Sequence, residues 1–452
     1  MDIARPNFAL ASVPHSMEPR PVQSWPAPRM ARWALAILVL AYILSFIDRI
    51  VLSMLVGPIK ADLHLSDTQF ALIGGLAFSM FYATIGLPIG WLADRLPRRV
   101  IIAVGIALWS LFTAASGLSY GFGHLFVARM GVGVGEAALS PAAYSLIADY
   151  FRPERRGRAV AIYTLGVSLG SSLAYLIGGA LIGFSAGHGS VTLPLLGATA
   201  PWRFVFIAIG LPGLLVALLV LTIREPARRT APIGLIVANQ KLFQLIRQHW
   251  RVTLAYVLGY SLINVPFAAF QTWGPALFSR SYHLTPPQLS WPLALIFLVP
   301  ATLGQLFGAT MTDRGYARGH RDAAFRTGAV CAFVLVPVAI AMPLMPNWQS
   351  SMAALALIVF LVCSSVGHHA VVTTLVAPNR LRGQYSAFFF LIQNVIGQAV
   401  ATLIIALLTE HVFRDPASLG RSMAITGGLG ATAGAITLMF GRSALRQTPA
   451  QG

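Results

Sequence analysis

Charge is what this chain has least of. Asp, Glu, Lys and Arg make up only 10% of its residues, against about a quarter in a typical soluble domain. Acid is scarcer than base, 14 residues against 32. No soluble domain manages with so little charge. With 56% hydrophobic residues and a mean hydropathy of +0.72, the chain reads as a polytopic membrane protein. Cysteine is nearly absent, and Cys331 and Cys363 lie inside apolar runs, which excludes a disulfide framework or a cysteine metal site. A phosphate-cradling glycine loop ending in Lys and Ser/Thr is missing, so ATP is not the energy source. A zinc pair and a nucleophile elbow are missing too. No enzyme, cofactor or metal site is expected. The net charge of +18 is spread over short loops, so nucleic acid is not an expected partner either.

What the chain does have is apolar runs of spanning length. Twelve are read, at residues 33–57, 68–93, 99–118, 122–148, 158–184, 202–223, 252–278, 288–312, 324–344, 350–376, 384–409 and 418–440. The chain thus divides into a tail (1–30), a first six-helix bundle (31–223), a basic linker (224–251), a second six-helix bundle (252–441) and a second tail (442–452). The proline-containing first tail reads as disordered and cytoplasmic, without a cleavable apolar signal. In the linker, IGLIVANQKLFQLIRQHW has apolar residues at helical spacing, as expected of a helix on the cytoplasmic membrane face.

Basic residues orient the chain. Lys60, Arg203, Arg280, Arg414 and Arg421 fall on one side of the membrane, Arg49 and Arg129 lie within helices, and the remaining 25 of 32 lie on the other side. Both termini are therefore expected in the cytoplasm of a cell with a bacterial-type inner membrane.

The two halves echo each other. Gly90-Trp-Leu-Ala-Asp94-Arg95-Leu-Pro97-Arg98-Arg99 follows the second run, and Gly308-Ala-Thr-Met-Thr-Asp313-Arg314 follows the eighth. Arg155-Arg156-Gly157-Arg158 opens the fifth and Arg382-Gly383-Gln384 the eleventh. Such punctuation marks a duplicated unit, a transporter plan. Gly90 and Asp94 share a helix face, so a neighbouring helix can approach closely and meet a carboxylate. Orientation charge alone would account for the arginines but not for that spacing or its second copy.

These residues carry a family likeness. The loop resembles the signature of the major facilitator superfamily, with Pro97 where a glycine is usual and one extra residue before Asp313 in the second copy. Asp48-Arg49, the stretch from Arg129 to Glu136, and Pro201-Trp202-Arg203 resemble the spinster-like branch. The resemblance implies an all-α fold of two pseudo-symmetric six-helix bundles. It also implies a conformational gate at Gly90, Asp94, Arg95, Arg99, Asp313 and Arg314, and a rocking fifth helix carrying Gly166, Gly170, Gly178 and Gly179.

Two neighbouring charges, Asp48 and Arg49, sit inside the first run, where each costs about 2.5–3.5 kcal/mol unless partnered. By helix rise Asp48 is about 14 Å from the outer end and Arg129 about 12 Å, so the two can pair. Glu136 lies about 10 Å further toward the cytoplasm, near the level of Tyr42 and within reach of Arg49. Two acids and two bases at facing depths read as a buried titrating network, with Asp48 and Glu136 as proton acceptors and Arg49 and Arg129 as counter-charges or anion contacts. The alternative is a structural clamp. The second half offers neutral cavity candidates instead: Asn264, Gln271, His368, His369, Gln393 and Asn394, with Pro266 free to kink the seventh helix.

The expected protein is a monomeric secondary transporter working by alternating access, with protons as coupling partner. By resemblance its cargo is an amphiphilic, lysolipid-like anion. A small organic acid and a multidrug cargo stay open, as do an uncoupled lipid facilitator and a non-transporting sensor. The charge asymmetry generates a direct test. A tag after Gly452 should be shielded from an impermeant reagent in intact cells and one inserted near Ser190 should be labelled; labelling of the former would overturn the orientation.

Overall fold

The computed structural model describes residues 25–93, 95–186, 191–193, 197–228, 235–378 and 381–447. Asp94, residues 1–24 of the first tail, 229–234 of the linker and 448–452 of the last tail fall outside them. Nearly all the rest is helix, because a spanning segment in lipid must satisfy its backbone groups internally.

The first half comprises Pro28–Met54, Asp67–Gly90, Arg98–Ser116, Phe122–Glu136 with Leu139–Tyr150, Pro153–Ala186 and Pro201–Leu221. The second comprises Trp250–Ile263 with Val265–Tyr282, Pro286–Ala317, Ala323–Ala341, Trp348–Cys363 with Val366–Val376, Arg382–Val412 and Leu419–Gln447. Eleven of these qualify as continuous apolar spans among the described residues. The fourth, expected as one run over 122–148, is instead broken at Ala137–Ala138. The tenth breaks at Ser364–Ser365, so the interruption is itself duplicated.

Packing repeats in the same way. The third span lies along the sixth, and the ninth along the twelfth; the second meets the fourth, and the eighth meets the tenth. The halves join where the fifth packs on the eighth and the second on the eleventh. Close approach there needs glycine. A Cβ on Gly179 would overlap Ser290 Oγ, and one on Gly75 would collide with the Gln398 carbonyl and Thr402 Oγ1. Gly308 likewise abuts the Ser364 carbonyl. Gly90 departs from expectation, since no described atom lies within 4 Å of a Cβ built there. Large apolar side chains such as Leu215, Leu218, Leu429 and Phe440 stand fully outward; in lipid they are the solvent-facing surface rather than a docking patch.

The far end of the second half's last span is pinned. It runs to Gln447, past the expected boundary at 441, because Arg442 Nε and Arg446 Nη2 each lie 3.0 Å from Asp322 Oδ2 in the loop before the ninth span. Burial pushes the Asp322 carboxyl up, but the Arg442 hydrogen bond and the Arg446 charge outweigh it and hold the group below its ordinary value. A folded-state value below the unfolded one adds stability that is present at neutral pH and lost as pH falls through it. Asp322→Asn should therefore lower the melting temperature in detergent at pH 7, with the difference from the parent fading below about pH 4.

Candidate functional site

The centre of the site is the contact between the first and fourth spans. Both helices carry ionisable residues at similar depth, and the structure brings all four together. Arg129 Nη1 lies 3.4 Å from each carboxylate oxygen of Asp48. That is long for a charge-assisted bond, which is usually about 2.7–2.9 Å. Two turns along the fourth span, Glu136 is held much harder. Its Oε2 accepts from Ser45 Oγ at 2.6 Å and from Arg49 Nε at 2.6 Å, with Arg49 Nη2 at 2.5 Å. Asp48, Arg129 and Glu136 are 2%, 1% and 1% exposed.

Arg49 is different, because its side chain keeps 24% exposure. Phe78, Tyr82 and Phe46 surround its guanidinium, with ring centroids 4.5, 5.0 and 5.2 Å away. Aromatic faces offset part of the lost hydration of a cation. Arg49 and Arg129 form one wall of a cavity of about 60 Å³ between the two halves. Phe46, Phe70 and Phe78 add apolar surface, and Gln271 and Gln398 close the opposite side. Gln398 Nε2 donates to Gln271 Oε1 at 2.9 Å. Two π-helical turns, Leu72–Ala77 and Asn394–Ala401, meet at this seam; such turns widen a helix locally and often mark functional positions.

Other expected cavity residues stand elsewhere. Tyr42 stacks on Tyr163 at 4.5 Å instead of lining the seam, because Gly166 lets the fifth span close over its ring. His368 is fully buried in the second half, its ring 5.7 Å from Tyr260. His369 lies 4.1 Å from the ring of Phe389. Both histidines belong to an aromatic core away from the cavity. Asn394 donates to the Phe390 carbonyl of its own helix at 2.8 Å. Gln393 is half-buried. Asn264 sits at the break of the seventh span, 3.1 Å from a Cβ built on Gly397.

At the rim on the side of the termini Arg98, not singled out for the gate, is the buried centre. It reaches Asp149, Glu225 Oε1 at 2.7 Å and the Pro226 carbonyl at 3.1 Å. Arg99 caps the sixth span through the Ile223 carbonyl at 3.1 Å. Arg95, Asp313 and Arg314 are exposed. The Arg98 and Arg99 contacts join elements of the first half.

The ends opposite the termini carry a latch that the sequence reading passed over. Arg280 grips Asp67 with two bonds of 2.7 and 2.9 Å across the halves, and Lys60 pairs with the same carboxylate. Glu410 of the eleventh span accepts from the backbone of Asp67 and Thr68, each at 3.0 Å, capping the second span from the other half. A signal was there: acids are rare in this chain, and Ser66-Asp67-Thr68-Gln69 spells a capping box. Nearby, Asp62 holds Trp202 Nε1 at 3.0 Å and Arg203 Nη2 at 3.1 Å, which ties the start of the sixth span to the first outer loop.

Comparison with known proteins places this geometry. The Major Facilitator Superfamily profile matches residues 38–402. An MFS-type efflux pump of Mycolicibacterium smegmatis is 28% identical over 88% of this chain and 89% of its own length. Protein spinster of Drosophila melanogaster is 23% identical over 86% of this chain and 64% of its own. A crystal structure of a bacterial homolog to the human lysosomal transporter Spinster, inward-facing and unoccupied, superposes with a TM-score of 0.75 at 25% identity. It covers 93% of this chain and 98% of that one. Two six-helix halves, a cavity on their seam and a match over most of the length lead to one conclusion: the chain belongs to the Major Facilitator Superfamily of transporters, and within it is similar to the spinster proteins.

Proposed function

We propose that the protein is a secondary active transporter of the inner membrane, with both termini cytoplasmic, that moves an amphiphilic organic anion with protons by alternating access. The observation that carries this reading is the seam cavity, with two arginines on one wall and phenylalanines beside them. Cations held ready by buried acids suit an anionic head, and the rings suit an apolar tail. An uncoupled facilitator would have little use for two buried acids at that wall, since buried ions are costly and tend to mark function in membranes. The Gln271–Gln398 pair favours a second reading of the cargo, a small polyhydroxylated organic acid bound by neutral hydrogen bonds. A multidrug efflux cargo is the reading suggested by the mycobacterial relative.

Coupling follows from differential partnering. The Asp48–Arg129 contact is the looser of the two, and it is the one that a proton on Asp48 would release. Arg129 then turns to the anion, and the state that needs the intact pair loses its advantage, which is what shifts a two-state equilibrium. Glu136 stays locked to Arg49 until Arg49 is drawn toward cargo. The outer latch of Asp67, Arg280 and Glu410 supports the alternating part of the reading, because it joins opposite halves on one face.

Two experiments test this. In liposomes with an imposed pH difference, Asp48→Asn and Arg129→Ala should each abolish gradient-driven uptake of lysolipid or organic anion. Removing one partner of a buried pair costs about 3–5 kcal/mol, and the double variant should be no worse than either single one. Accumulation by Asp48→Asn equal to that of the parent would refute proton coupling through the first span, and the absence of any flux in the parent would point to a sensor.

The latch is tested by access. With Cys331 and Cys363 replaced, Ser53→Cys at the cavity wall should react several-fold faster with an impermeant maleimide added from outside when Asp67→Asn is also present. An unchanged rate would make the cluster a static rim.

A further inference from the structure

The Asp48–Arg129 pair separates two cavities. Arg129 borders the seam cavity, whereas Asp48 borders a smaller one lined by the first, third and sixth spans. That inner cavity has room for about one water molecule. Its polar lining is Asp48, Ser110 and Thr113, and the sixth span brings Ile209, Gly210 and Gly213. Ser110 and Thr113 are each 1% exposed, and neither hydroxyl has a hydrogen-bond partner among the described residues.

Many Ser and Thr in its helices bond the carbonyl one turn back, although Ser79, Ser261, Thr312, Ser365 and Thr426 are also buried without a partner among the described residues. Ser116 on the same span donates to Phe112 at 2.9 Å, and Thr302, Thr310, Thr432 and Thr437 do the same on theirs. Ser110 and Thr113 do not make that local bond, and both border the same cavity as Asp48. The sixth span is shaped for this, since a Cβ on Gly213 would occupy the place of Ser110 Oγ. A buried hydroxyl left unbonded is costly, so two of them around one carboxylate call for an occupant with both donor and acceptor capacity.

We infer that Asp48, Ser110 and Thr113 form a one-water site, and that the hydroxyls and water are the partners to which Asp48 turns when Arg129 leaves it. A carboxylate offers about four acceptor positions, and Arg129 meets it only at 3.4 Å, so the inner side is free to accept. Arg129 faces Asp48 from the fourth span, with Glu136 acting on it electrostatically from further along. From the third and sixth spans only neutral groups border the cavity. Ser110 and Thr113 would thereby be positioning residues for the coupling step, holding Asp48 between exchanges of partner. The inference rests on the proton-coupled reading above.

The test is pH-difference infrared spectroscopy of the purified protein in ordinary and oxygen-18 water, joined to the pH profile of counterflow. The parent should show a carboxyl band that Asp48→Asn removes, together with an isotope-sensitive water band. Ser110→Ala and Thr113→Val, made singly and together, should retain the carboxyl band, lose the water band, and move the counterflow profile by about one pH unit or more. Thr113→Ser should restore both readouts, which a mere packing defect at that position would not allow. If the parent lacks the Asp48 carboxyl band, the proton-coupled reading fails and this inference with it. If the carboxyl band is present but the hydroxyl variants keep the water band or the parent's profile, only the one-water site is overturned. Loss of the water band on adding sodium at fixed pH would identify a cation site instead and overturn it as well.

Discussion

An ion taken out of water has to find its counter-ion inside the protein, and the first and fourth spans are arranged by that need. Asp48, Arg49, Arg129 and Glu136 could not be carried in a low-dielectric interior singly. Held in two pairs, they fix the rotation of both helices and their relative depth. The small-residue face of the fourth span follows from the same demand. Gly131 lies under the Phe112 ring, and Gly135 lies against the third-span backbone at Gly105 and Trp109, so the fourth helix has its other side clamped while its charged side meets the first. What remains exposed of the network, the Arg49 guanidinium, opens on the seam.

The duplication is plain in the helix packing and broken in the chemistry. Both halves interrupt their fourth helix, and both bring their third and sixth helices together. In the first half the interruption follows Glu136, a charge tied to another span. In the second it precedes His368 and His369, which sit in a cage of Tyr256, Tyr260 and Phe389. One half is organised by ion pairs, and the other by aromatic stacking with a single glutamine pair at the seam. A cavity between them therefore has a charged wall and a neutral one.

How much of this could be read from the residues differs by the kind of force. Apolar runs located every span, with ends off by up to about seven residues, since lipid leaves the backbone little choice. Depth arithmetic along helices was enough to match Asp48 with Arg129 and Glu136 with Arg49, because helix rise is nearly constant. Roles for these groups are another matter and rest on the proposal. Helix facing was less legible. Tyr42 and the two histidines are polar-capable residues inside apolar runs, and nothing in their spacing says whether a ring turns to a cavity or to its neighbours. Arg98 looked like one orientation charge among three, and only the fold brings Asp149 and Glu225 to it from 51 and 127 residues away. The outer latch escaped for the same reason, being made of partners up to 343 residues apart.

The two rims on the side of the termini are mirror images in sign. In the first half a cation, Arg98, stands before the third span and the acids Asp149 and Glu225 come later in the chain; in the second an acid, Asp322, stands before the ninth and the cations Arg442 and Arg446 come last. In a chain made from the amino end, each early charge waits for a partner that has not yet left the ribosome. Arg98 meets Asp149 first and Glu225 last, so the first bundle completes its rim only when its sixth helix is complete and the linker has begun. Asp322 waits until the last turns of the whole chain. Each half is finished by an electrostatic clasp at its final helix, and a chain cut before Arg446 would keep only the Arg442 side of the second clasp.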